Sequence, residues 1–69
     1  MSTITLYNPW TNAPVNKTVD EIMWAININA SIDECEAVNN ERVCSSDSDW
    51  VKTFMDIHGI ERLSAIYFS

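Results

Sequence analysis

The chain has 69 residues, 46% of them apolar and 20% charged, with one glycine, two prolines and a net charge of −6. That length makes one domain, residues 1–69, with a thin core, because a chain of this size buries only about 60% of its unfolded surface. The composition excludes a disordered tail. Ten carboxylates against four cations (Lys17, Arg42, Lys52 and Arg62) make nucleic acid and anionic membranes poor partners, since binding them needs basic residues on phosphate.

The run Thr3 to Asn8, with Ile4, Leu6 and Tyr7, predicts a strand that stops at Asn8-Pro9, because Pro9 cannot donate to a ladder. Trp10 to Val15 reads as a polar connection closed by Pro14. Thr18-Val19-Asp20-Glu21 is a capping box, and Val19, Ile22, Met23 and Ile26 follow at helical spacing, predicting a helix over 19–28.

The segment 31–45 carries two patterns. Ser31-Ile32-Asp33-Glu34 is a second capping box, with Ile32, Cys35 and Val38 at helical spacing. The competing pattern is a hairpin turning at Asn39-Asn40, residues able to take the positive φ of a type I′ turn, with Cys35 facing Cys44. The facing cysteines favour the hairpin.

A second helix is capped by Ser46, Asp47 or Ser48 and shows an apolar stripe of Trp50, Phe54 and Ile57, flanked by Val51. It ends at His58-Gly59, where a left-handed residue is wanted and Ile60 can fold back on Met55. Leu63 to Phe68, apolar at both alternations, predicts a closing strand. The fold expected is α+β, two helices on a small antiparallel sheet in the order β-α-β-β-α-β (ferredoxin-like). If 31–45 is helical the order is β-α-α-α-β.

The start, Met1 to Thr5, lacks a basic region and a sustained apolar run, and no stretch reaches membrane-spanning length. A cytoplasmic setting is expected, in which the Asn16-Lys17-Thr18 and Asn29-Ala30-Ser31 sequons have no meaning and both cysteines stay reduced. Eight residues separate Cys35 from Cys44, which is not a redox spacing. Zinc would need ligands beyond the two cysteines, and no spacing supplies them around His58. Neither a nucleophile elbow nor a phosphate-binding glycine loop is present, so no catalytic residue, metal or cofactor is assigned.

Two features point to binding. On a helical wheel Trp24 falls about 140° from Val19, beside Asp20 and Ile28 and away from Ile22, Met23 and Ile26. Trp24 and Ile28 are therefore either covered by the 10–15 connection or the other helix, or they form a partner contact, where tryptophan is enriched. The second feature is an acidic segment: Asp33, Glu34, Glu36, Glu41, Asp47 and Asp49 against Arg42 alone. A solvated face is its plain meaning; a surface shaped for a basic groove is the functional one.

The function these residues suggest is a small acidic, non-enzymatic inhibitor that binds a protein with a basic nucleic-acid-binding surface and mimics its nucleic acid. Such compositions are typical of phage and mobile-element proteins aimed at host restriction, CRISPR or transcription machinery. The alternative is a homodimeric structural or regulatory module, motivated by the apolar faces of the closing strand.

Overall fold

The computed structural model describes residues 3–69 and runs β-β-α-α-α-α. Readings that involve Met1 and Ser2 lie outside the described residues. The class is α+β, built among the described residues from four helices and one two-stranded antiparallel sheet, and its topology is neither of the two expected.

Strand β1, Thr3–Tyr7, pairs with β2, Pro14–Thr18, in a register that sets Leu6 opposite Val15 and Tyr7 opposite Pro14. The connection expected over 10–15 is thus a tight turn followed by a strand. Proline is admissible because Pro14 is the first residue of β2, on a strand whose other edge is free. The turn is shaped by Asn8, whose side-chain oxygen accepts from the backbone N–H of Trp10 at 2.9 Å and of Thr11 at 3.3 Å. Asn12 takes φ +59°, a left-handed conformation that asparagine tolerates.

Helix α1, Val19–Asn29, starts where the Thr18 hydroxyl accepts from the Glu21 N–H at 3.2 Å. Ile22 and Ile26 are fully buried on its inner face, and Met23 is half-buried. Helix α2, Ile32–Glu41, replaces the expected hairpin and takes Asn39 and Asn40 into its last turn. Its capping box is complete: Ser31 accepts from the Glu34 N–H, and the Glu34 carboxylate accepts from the Ser31 N–H at 3.0 Å. The helix wins because those caps satisfy its first donors and Val38 reaches the core, whereas an isolated two-stranded hairpin is marginal in water. Cys35 and Cys44 are free thiols, on α2 and in the loop after it.

Helix α3, Asp47–His58, is capped by the Ser46 hydroxyl and buries Val51 and Phe54. Gly59 then breaks the chain direction at φ +89°, ψ +157°, an extended positive-φ conformation that is close to glycine-only. This is not the left-handed helix end expected at Gly59. The Gly59 N–H closes α3 on the Met55 carbonyl at 2.8 Å, and the Gly59 carbonyl accepts from Leu63 at 3.2 Å to open the next helix. That helix, α4, spans Ile60–Tyr67 where a strand was expected. Ile60, Leu63, Ile66 and Tyr67 recur at three- and four-residue spacing, and Leu63 and Ile66 enter the core.

One apolar cluster unites all the elements except β2: Leu6, Val19, Ile22, Ile26, Val38, Val51, Phe54, Leu63 and Ile66. β1 lies against α4, where the buried Ser64 hydroxyl accepts from the Tyr7 N–H at 3.1 Å, while β2 leads directly into α1. Helices α1 and α4 pack side by side, and the Asn29 amide donates to the Ile66 carbonyl at 3.0 Å across that seam.

Candidate protein-binding site

Two surfaces carry the residues singled out by the sequence. The first is the outer face of α1. Asp20, Trp24 and Ile28 form one i, i+4 row, and Glu21, Ala25 and Asn29 form the next. Trp24 is 69% exposed and Ile28 58%, so neither the turn at 8–13 nor another helix covers them. Ala25 is buried and small, and it leaves a dent between these rows and Tyr67 at the end of α4. The result is an open groove of about 680 Å³ whose walls include Trp24, Ile28 and Tyr67, with Asp20 and Glu21 on its lining.

The rim of this groove is electrically organised. The Tyr67 hydroxyl donates to the Glu21 carboxylate at 3.3 Å, and the Lys17 ammonium stands 3.9 Å from the same carboxylate. That ammonium also lies 5.4 Å from the centre of the Tyr67 ring, within cation–π range. The Thr18 hydroxyl, with smaller help from Tyr67 and Lys17, holds the Glu21 carboxyl below its ordinary range. Asp20 is exposed and makes no ion pair among the described residues.

The second surface is the acidic segment, and the structure divides its six carboxylates by role. Glu34 belongs to the fold: both its oxygens take the Arg62 guanidinium, at 2.6 and 2.8 Å, while it closes the α2 capping box. The Arg62 bonds, with the Ser31 N–H, lower its pKa to about 2. Asp49 is likewise used internally, accepting from Arg42 and from the Ser45 N–H, while Arg42 also donates to the buried Thr53 hydroxyl at 3.0 Å. Asp33, Glu36, Glu41 and Asp47 remain, all exposed and without an ion pair among the described residues.

The pairing has a consequence for the whole surface. Three of the ten carboxylates, Glu21, Glu34 and Asp49, neutralise Lys17, Arg62 and Arg42. Seven carboxylates are then left against Lys52 alone, so the net −6 resides entirely in groups free of ion pairs among the described residues.

The remaining reactive side chains are tied into packing. His58 donates through Nε2 to the Glu34 carbonyl at 3.0 Å and lies 4.5 Å from the Phe54 ring, fastening α3 to α2. Burial, and then the charge of Glu34, raise the Cys35 thiol pKa, which lowers its thiolate fraction. Among the described residues no group of three or more His, Cys, Asp or Glu side chains could hold a metal ion, and no helix is long and apolar enough to cross a membrane.

Sequence reasoning missed Tyr67 as a groove wall, because 63–68 reads as a strand by alternation; the spacing of Ile60, Leu63 and Tyr67 was the available signal. It also missed Trp10, 75% exposed at the β1–β2 turn. The ground for a homodimer, a strand apolar on both faces, is absent because that segment is the helix α4. Comparison with protein-family models, with curated proteins and with solved structures finds no match.

Proposed function

We propose that this protein is a non-enzymatic inhibitor that binds the basic surface of a nucleic-acid-handling protein and competes there with DNA or RNA. The observation that carries the reading is the division of charge: among the described residues every lysine and arginine but Lys52 is in an ion pair, and the exposed carboxylates, Asp33, Glu36, Glu41 and Asp47 among them, present one sign to a partner. A surface of one sign steers association with the opposite sign and repels nucleic acid itself. The exposed Trp24 and Ile28 supply the apolar anchor that a charged surface alone lacks. A cytoplasmic setting belongs to the same reading and accords with two free thiols. Phage and mobile-element inhibitors of restriction, CRISPR or transcription proteins are the class to which this composition fits.

The test is competition. A partner recovered by affinity capture is immobilised with this protein bound, and DNA or RNA is added. Displacement of the protein, together with affinity that falls as salt rises, supports the reading. Simultaneous binding of both, or affinity indifferent to salt, rejects mimicry.

A further inference from the structure

We infer that the α1–α4 groove receives an arginine side chain flanked by an apolar residue of the partner. The inference rests on the proposed function for the partner's basic character, and on the groove for the rest. Ala25 provides the dent, and Trp24, Ile28 and Tyr67 provide apolar walls on either side of it. The exposed, unpaired Asp20 and the Glu21 carboxylate stand in the same lining. An aromatic face beside a carboxylate is matched by a guanidinium, which stacks on the ring while its N–H groups meet the oxygens.

The chain itself shows the rim accepting a cation. Lys17 reaches to 3.9 Å from Glu21 and 5.4 Å from the Tyr67 ring centre, so carboxylate and ring already act together on one ammonium. Asp20, one residue earlier in α1, has no such occupant among the described residues. Charge argues against a second copy as the occupant. Two chains of net −6 would bring their Asp20 and Glu21 rims together, with only the paired Lys17 to offset them.

The test uses isotope-labelled protein and a tripeptide probe, acetyl-leucyl-arginyl-leucinamide, followed by NMR. The expected result is saturable shifts at the Trp24 indole N–H, Ala25, Ile28 and Tyr67. Trp24→Ala should weaken binding about thirtyfold, the loss that marks a hot-spot tryptophan. Asp20→Asn should weaken it about two- to fivefold, and citrulline in place of arginine by at least as much. Both substitutions lie at exposed positions, and an unchanged amide spectrum confirms that each variant is folded.

Four results overturn the inference. They are an absence of saturable shifts, shifts centred on α2, an equal response to the citrulline peptide, and groove signals that move with protein concentration alone. The last would assign the groove to a second copy. The titration contains neither partner nor nucleic acid, so its failure is distinct from failure of the competition experiment.

Discussion

Helices α1 and α2 open on the same device, a hydroxyl followed three residues later by a glutamate, and differ in what the glutamate does next. In α2, Glu34 is held by Arg62 from α4, and the helix buries a single side chain, Val38. Its other side chains are mostly carboxylate and amide, so its outer face is largely solvated, with Ile32 at its start as the one large apolar side chain left exposed. In α1, Glu21 lies on the groove lining beside Tyr67, and the helix is apolar on two sides. Its inner face, Ile22 and Ile26, is buried; its outer face keeps Trp24 and Ile28 in water. The same start signal thus yields one helix whose charge is partly structural and one whose apolar surface exceeds the needs of the core. Acidity marks α2, where Ile32 is exposed singly; on α1 the exposed Trp24 and Ile28 stand together in one row beside the groove.

The sharpest way to break this comparison is to truncate each face of α1 in turn. Ile26→Ala should cost about 2–5 kcal/mol, because the removed atoms leave a cavity among buried neighbours. Trp24→Ala should change stability by less than about 1 kcal/mol, since most of that side chain is already in water. Urea unfolding of the two variants measures both. Equal losses would make Trp24 part of the core and remove the groove's claim.

The two faces of α1 were legible in the sequence because one helical period separates them without tertiary help: Ile22 and Ile26 inward, Trp24 and Ile28 outward. The first strand and the caps at Thr18, Ser31 and Ser46 were legible for the same reason, being set by neighbours in the chain. What failed depended on distant partners. The sequence does not show that Arg62 would clamp Glu34, or that Val38 would find the core, so 31–45 read as a hairpin on the strength of its facing cysteines where the fold makes a helix. The closing segment failed differently. Leu63 to Phe68 satisfies both periods over so short a run, and only Ile60, just before it, tips the spacing to helical. Asp49 and Glu34 were read as partner contacts because an ion pair between segments leaves no local trace.

Gly59 offers the next test, since it separates α3 from the helix that supplies Tyr67 to the groove. A Cβ added there meets no atom within 4 Å, so any penalty comes from the backbone at φ +89° alone. Gly59→Ala should cost about 1–3 kcal/mol. Asn29→Ala, which removes the bond from α1 to the Ile66 carbonyl, should cost less, about 1 kcal/mol. Thermal unfolding of both variants ranks the two ways of holding α4. A neutral Gly59→Ala would show that the chain passes through 59 without strain.

Glu34 sharpens the comparison of the two glutamates. Its pKa of about 2 in the fold lies below the ordinary carboxyl value, so its contribution is complete above about pH 4.5 and is lost as pH falls through about 2. With Arg62 well exposed, that contribution is about 1–2 kcal/mol. Glu34→Gln should remove it at neutral pH and flatten the loss of stability between about pH 4.5 and about pH 2. Urea midpoints of native protein and variant at about pH 7 and about pH 3 give the comparison. Parallel pH curves would show that Arg62 gains nothing from the carboxylate.

Asp33 and Glu36 should matter little to the fold, Asp33 only through its place in the first turn of α2, and most to the encounter with a partner. Neither makes an ion pair among the described residues, both are exposed, and both lie on the solvated side of α2. Reversing them together, Asp33→Lys with Glu36→Lys, should cost about 1 kcal/mol, most of it from setting a lysine in the first turn of α2 against the helix dipole. Glu34 must be left intact in this variant, since reversing it would set a lysine against Arg62 and confuse a folding defect with a binding one. The same double change adds four units of positive charge to a surface of −6, which should slow association with a basic partner by about tenfold or more at low salt. Dissociation should change little, because rim charges act chiefly on the approach. Trp24→Ala should do the opposite, speeding dissociation while leaving the approach rate near native. Stopped-flow or surface-binding kinetics on the two variants would therefore separate steering by α2 from anchoring by α1. A Trp24 variant that dissociates at the native rate would leave the acidic face as the whole of the binding surface, and a double reversal without effect on association would leave α1 as the whole of it.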